Sequence, residues 1–264
     1  MNHVMNGIKK VFLYSDNPSN ALDLSVIINS LNQYGSSVED RGSLIESLFL
    51  GDKELCDFAA SSASAVVSNI EEPLDILNRI ANSETAFETA KLRDKQGYED
   101  SLYDGFWLQR FLYKIISDKM PQEIGNGYMH IVFTSRLFGT FDKRRYHARV
   151  ILLGAPYLIS TSGLVEAPAK PREYYFIKGG LIQSGKDTSV LDEIYRGRYI
   201  EYNDPKTSSI LTSYTLQALS YELTGEAFCQ DSSCCLFNSH WQEEVLKVQY
   251  EGKPCDKCLK RLTK

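Results

Sequence analysis

Cys229 and Cys234 enclose four residues, Cys255 and Cys258 enclose two, and twenty residues separate the two pairs. Two close thiol pairs can place four sulfurs around one tetrahedral zinc, the arrangement of closed structural sites that bind metal without doing chemistry. Such a site exists only once the fold brings the pairs together, so metal affinity becomes folding free energy. One structural Zn2+ is therefore expected on Cys229, Cys234, Cys255 and Cys258, with Cys235 as the alternative to its neighbour at the second position. The competing reading is a pair of disulfides. No basic, apolar leader opens the sequence and no run of about eighteen apolar residues is present to span a bilayer. A cytoplasmic location is expected, where thiols stay reduced and clustered cysteines serve as metal ligands. Cys56, far from the others, reads as a small core residue.

Histidine is the next candidate for metal or acid–base chemistry, and the chain has four: His3, His130, His147 and His240. His3 sits on a terminus expected to fray. One reading builds an unconventional second metal site from His147, His240 and Glu222, with Tyr221 or His130 nearby. The other makes these three histidines hydrogen-bonded members of an α/β protein, and a second, catalytic ion is not expected. Lys143, Arg144, Arg145 and Arg149 surround Tyr146 and His147, a cationic segment suited to a phosphate, a peptide C-terminus or an acidic partner, because arginine forks match oxyanions. Glu166, Lys170, Arg172 and Glu173 would complete its rim; the plain alternative is a solvated hairpin. Gly180 to Lys186 spells the start of a P-loop, but Asp187 stands where a hydroxyl is needed, and no nucleotide is assigned.

With 43% apolar and 24% charged residues, the 264-residue chain can bury an ample core without staples. A net charge of −5 and a pI near 5.5 argue against nucleic acid as partner, because that binding depends on basic surface. Neither a nucleic acid nor a membrane is expected to bind.

These candidates need elements to hold them. Ile8 to Tyr14 reads as a strand before the turn cluster at 15–20. Asn20 would cap a helix from Ala21 to about Leu31, with Leu22, Leu24, Val26, Ile27 and Leu31 on its apolar face, and Val38 begins a second strand. Several short helices are expected over 45–120. Apolar positions at helical spacing are Leu55, Phe58, Ala59, Val66 and Val67, and again Leu74, Ile76, Leu77 and Ile80. A stronger helix opens at Asp104-Gly105 with Phe106, Trp107, Phe111, Leu112 and Ile115 as its stripe. Met129–Thr134 and Ala148–Leu153 read as strands of one sheet, the second buried at its centre. Gly163, Pro168 and Pro171 make 160–171 an irregular loop, and Pro171 suits the first turn of a following helix. A long helix follows Asp204-Pro205 and runs to Leu223, where Gly225 provides the left-handed stop.

A long helix ending at Thr224-Gly225, followed three residues after that glycine by C-x4-C, resembles the archaemetzincins. These are zinc metallopeptidases in which H-E-x-x-H-x-x-G-x-x-H runs directly into a four-cysteine zinc site. Aligned on Cys229, the motif glycine falls on Gly225. The three histidines fall on Ala218, Glu222 and Phe228, the catalytic glutamate on Leu219, and the Met-turn position on Leu236. LTGEAFC, LFNSHWQEE, RRYHARV, STSGLVEAPAKPREYY and the opening LDL with VEDRG are similar to a sister group of metallopeptidase-like proteins. The resemblance implies a single α/β metzincin-like (zincin-like) domain over 1–264, with a mixed sheet, a long C-terminal helix and a zinc-stapled subregion at 226–264. A zincin site needs its histidines as ligands and its glutamate to take a proton from metal-bound water. Alanine, leucine and phenylalanine do neither. The expected role is a peptide- or protein-binding scaffold. The alternative is an active zinc-dependent hydrolase using His147, His240 and Glu222.

Overall fold

The computed structural model describes residues 7–48, 51–75, 82–94, 101–125 and 127–263. His3 and the expected helical positions Ile76, Leu77 and Ile80 lie outside them. The chain begins β1 (Lys10–Asp16), α1 (Leu24–Gln33), β2 (Val38–Ser43), followed by the helices α2 (Leu44–Ser47), α3 (Asp52–Ser64) and α4 (Asn82–Asp94). Next come β3 (Leu102–Asp104), α5 (Gly105–Lys119), β4 (Tyr128–Thr134), β5 (Leu137–Asp142), β6 (Arg145–Ala148), β7 (Ile151–Leu152) and β8 (Tyr157–Ser160). Helices α6 (Thr161–Glu166), α7 (Arg172–Gln183), α8 (Val190–Ile194), α9 (Thr207–Thr224), α10 (Gln242–Val245) and α11 (Asp256–Leu262) complete it.

The main sheet runs β2-β1-β4-β8-β7, parallel except for β7, and a smaller sheet runs β3-β5-β6. Side chains on a strand alternate between faces, and here both faces are covered. Val11, Leu13, Ile131, Phe133, Tyr157 and Ile159 share one core with α1, α6 and α9. Phe12, Tyr14, Val132 and Leu158 share the other with α2, α3 and α5. That two-sided burial explains why β1, β4 and β8 are apolar almost throughout.

Several sequence expectations need correction. Asp23, not Asn20, caps α1 by accepting from the Ser25 N–H at 2.9 Å, and Val26 is exposed beside buried Ile27 and Leu31. In α5 the buried stripe is Leu108, Leu112 and Ile116, while Phe106 is 58% exposed. The segment 148–153 is not one central strand: it ends β6 in the small sheet and then forms the edge strand β7. The buried strand is β8. The segment 160–171 is no irregular loop, since Ser160 caps α6 by accepting from the Gly163 N–H at 2.7 Å. Gly163 is there because of close approach: a Cβ would lie 2.2 Å from the Arg149 carbonyl oxygen. Cys56 is exposed rather than in the core.

The helix expected after Pro205 is α9, buried on all sides from Thr207 to Ser220 apart from Ser209 and Thr212, and stopped by Gly225 at φ 74°. All-round burial needs partners for its polar side chains. The Ser213 hydroxyl donates to the Gln249 carbonyl at 2.7 Å, and the Gln217 amide donates to the Phe237 carbonyl at 3.2 Å. These bonds tie α9 to the cysteine-bearing segment that follows it.

Candidate metal centre and the cleft beside it

Cys229 and Cys234 sit on a tight turn, held by bonds from the Cys229 N–H to the Leu236 carbonyl and from the Cys234 N–H to the Asp231 carbonyl at 2.9 and 3.1 Å. Cys255 precedes α11 and Cys258 lies in its first turn, so a helix start delivers the second pair. The sulfurs of Cys229, Cys234, Cys255 and Cys258 all lie within 4.8 Å of one another. Those of Cys229 and Cys255 are 3.7 Å apart. A tetrahedron with Zn–S bonds of about 2.3 Å has sulfur–sulfur edges of about 3.8 Å, so the donor set fits a tetrahedral thiophilic ion. Backbone N–H groups of Asp231 and Cys255 each point at a sulfur, of Cys229 and Cys234, at 3.4 Å, second-layer donors of the kind that stabilise bound thiolates.

Burial pushes the thiols of Cys234 and Cys258 above their ordinary range, while the backbone N–H of Cys258 holds Cys255 below it. Buried thiolates therefore call for a compensating cation. Cys235 is outside the quartet. Its thiol is pushed up to about 12 chiefly by burial. Of the two neighbours left open by the spacing, Cys234 is the one whose sulfur joins the cluster. All six cysteines are unbridged.

The other sequence candidates do not gather. Among the described residues the cysteine quartet is the one group of three or more His, Cys, Asp or Glu with ligand atoms in mutual reach. His130 is buried on β4, with Nε2 2.8 Å from the Glu123 carbonyl and Nδ1 2.9 Å from the Tyr14 hydroxyl. The carbonyl only accepts, so Nε2 carries the proton and Nδ1 accepts from Tyr14; no nitrogen is left for a metal. Burial holds this imidazole below its ordinary value. His147 pairs with Thr140 in the β5–β6 hairpin. His240 is exposed, its N–H donating to Glu244 at 2.9 Å and its carbonyl accepting from Ala169. Glu222 accepts from the Tyr157 hydroxyl at 2.5 Å.

Arg144 and Arg145 are exposed beside a turn at Lys143, φ 59°, the solvated-hairpin geometry. The remaining rim residues belong to another neighbourhood. Glu166 accepts from Tyr202, the Lys170 ammonium lies 4.0 Å from the Tyr199 ring centre, and Arg172 lies over Trp241. The P-loop-like residues form the end of α7 and its turn, with no strand before them.

A cleft of about 460 Å³ adjoins the quartet, lined by Leu153, Tyr221, Phe228, Gln230, Lys257 and Arg261 among others. Arg261 is paired with Glu226. At the positions aligned with the zincin motif, Ala218, Leu219 and Leu236 are buried in the core and Phe228 lines the cleft.

One polar constellation had no signal in the sequence. Arg136, wholly buried, pairs with Asp16 and lies 3.7 Å from Glu88. Glu88 accepts from Tyr103 at 2.6 Å and lies 3.2 Å from the Lys91 ammonium, and Thr134 donates to Asp16 at 3.0 Å. Asp16 and Thr134 end the adjacent parallel strands β1 and β4, whose other neighbours in the sheet, β2 and β8, lie on opposite flanks of the pair. Such a switch point often forms a ligand crevice, and here the Arg136 side chain occupies it. A charge directly after a strand reads as solvent-facing, and nothing in the spacing of 134–137 says otherwise.

An α/β chain whose long helix runs into a four-thiol centre is therefore the class that the geometry defines. Residues 7–264 match the family described as "Probable metallopeptidase family (DUF6775)", and the chain belongs to that family. This bears out the metallopeptidase resemblance drawn from the sequence. Among solved structures it is similar to an archaemetzincin from Methanopyrus kandleri, with 13% identity over 97% of this chain and 93% of that one and a TM-score of 0.43. It is also similar to a zinc-dependent peptidase from Methanocorpusculum labreanum, with 12% identity over 96% and 99% of the two chains and a TM-score of 0.44. No curated protein matches the sequence. No helix among the described residues is long and apolar enough to cross a membrane.

Proposed function

We propose that this chain is a metzincin-like scaffold, stapled by one zinc on Cys229, Cys234, Cys255 and Cys258, that binds a peptide in the cleft beside α9. It does not cut that peptide by the standard zincin route. The supporting observation is the state of α9: at the positions aligned with the first histidine and the catalytic glutamate stand Ala218 and Leu219, both buried in the core. Neither side chain can ligate a metal or take a proton from water. The cleft itself keeps a peptide-suited lining. Leu153, Tyr221 and Phe228 offer apolar and aromatic contact, and Lys257 offers a cation for a carboxylate. Pockets of this kind recognise ligands by apolar bulk plus a few placed polar groups.

The test is paired. Fluorescent peptides with acidic C-terminal segments are titrated against the zinc-loaded protein, and the same peptides are incubated with it and analysed by mass spectrometry. Saturable binding, weakened at least about tenfold by Phe228→Asp, without cleavage supports the reading. Zinc-dependent cleavage of the peptides overturns it, as does binding indifferent to Phe228.

A further inference from the structure

The two walls of the cleft beside α9 are the two arms of the cysteine cluster. One wall is the turn 225–230, which contains Cys229, and the other is the part of α11 that presents Lys257 and Arg261. Helix α11 carries Cys258 and follows directly on Cys255. The turn is tied back to α9, where the Ser220 hydroxyl donates to the Glu226 carbonyl at 2.6 Å. Leu153 and Tyr221, also in the lining, follow β7 and end α9, outside both arms.

Little but sulfur joins the turn to the helix. Among the described residues the polar contacts between them are the Cys229 sulfur facing that of Cys255 at 3.7 Å and the Arg261–Glu226 ion pair. Glu226 is 63% exposed in that pair, and surface pairs contribute no more than about 1 kcal/mol. Thiols are weak hydrogen-bond partners and thiolates repel one another, so the sulfurs hold the arms together only through a shared cation. A ligand that touches Phe228 on the turn and Lys257 on α11 spans the same seam from the cleft side. Whatever orders the seam from one side lowers the entropy cost of ordering it from the other, which is the condition for positive linkage.

We propose, resting on the peptide-binding reading of this cleft, that zinc is the effector of the cleft as well as a staple. The loaded centre sets the two walls for the peptide, the peptide locks in the metal, and loss of zinc empties the cleft. Of the four cysteines only Cys255 is part-exposed, the others being buried. The metal's way out therefore lies at the start of α11, the helix that a bound peptide holds through Lys257.

Equilibrium titrations on the full chain test the linkage from both ends. A fluorescein-labelled peptide ending in two glutamates is titrated against zinc-loaded and chelator-stripped protein, and zinc is competed with 4-(2-pyridylazo)resorcinol with and without saturating peptide. Zinc should tighten the peptide, and the peptide should tighten zinc, by a common factor of about tenfold, because linkage between binding affinities is reciprocal. Lys257→Glu should lose the peptide's effect on zinc. Hydrogen exchange needs no peptide: stripping the metal should speed exchange at 225–230 and 257–261 together and leave β4 and β8 protected. Peptide binding that is equal with and without zinc overturns this inference and leaves the scaffold reading standing, as does exchange that rises on one wall alone or throughout the domain. Failure of the zinc-loaded protein to bind peptide overturns the scaffold reading and this inference together.

Discussion

Tyr157, buried on β8, donates its hydroxyl proton to the carboxylate of Glu222 at 2.5 Å, clamping the last turn of α9 to the main sheet. Glu222 stands where the archaemetzincin resemblance puts the second histidine. Burial and the adjacent carboxylate both push the Tyr157 phenol up, so it stays a donor across the accessible pH range. A hydrogen bond to a charged acceptor contributes about 1.5–3 kcal/mol when well enclosed, and less where solvent reaches the carboxylate. Tyr157→Phe is therefore expected to cost about 1–2 kcal/mol in urea unfolding. An unchanged midpoint would mean that the clamp contributes nothing.

Metal removal should act on folding. Structural zinc sites couple binding to folding by about 10 kcal/mol or more in small domains, and on the proposed reading part of that energy orders the segment from Cys229 to Leu262. A strong chelator, or Cys258→Ser, is expected to lower the thermal midpoint and expose the C-terminal segment to limited proteolysis. Cys56→Ser should do neither, since that thiol is exposed and remote from the quartet in sequence. Equal sensitivity of the two variants would argue against a metal-held C-terminus.

His130 gives the fold an acid-sensitive term. Burial lowers its pKa from the ordinary value of 6.5, so between the folded value and 6.5 the unfolded chain binds a proton that the folded chain refuses. Stability from this residue is complete above about 6.5 and falls as pH drops through that window, by up to about 1.4 kcal/mol per pH unit. Thermal midpoints of wild type and His130→Gln across that window should differ in slope. The glutamine variant should lack this component, and parallel curves would remove the histidine from the account.

Arg136 is the most consequential buried charge. Removing one partner of a buried ion pair leaves the other uncompensated and costs about 3–5 kcal/mol. Arg136→Ala strands Asp16, while Glu88 keeps Lys91 and Tyr103, so its cost in urea unfolding should lie in that range. A loss below about 1 kcal/mol, the size of a surface pair, would show that water reaches the network.

What the sequence made legible follows from how local each signal is. The C-x4-C and C-x2-C spacings, the glycine after Thr224 and the apolar run of α9 are determined by neighbours in the chain, and the structure places them as the spacing predicts. The segment 148–153 reads as a central strand although it is an edge, because centre and edge differ by pairing partners, which composition does not encode. Helix α6 is hidden in the sequence for a related reason: Gly163 looks like a breaker until the Arg149 carbonyl that it makes room for is in place. Arg136, Asp16 and Glu88 come from three distant segments, so no local pattern joins them. The histidines failed as a group because His130 is satisfied by Tyr14 and Glu123, contacts that only the tertiary fold creates.

The central claim is that one ion, held by four sulfurs, is the metal of this protein, and the most direct test is zinc X-ray absorption on purified protein combined with elemental analysis. The account expects one zinc per chain with four sulfur neighbours at about 2.3 Å, and loss of that zinc in Cys258→Ser. Two zinc ions per chain, with nitrogen or oxygen neighbours in the first shell that vanish when His147, His240 and Glu222 are replaced, would contradict it and restore the hydrolase reading.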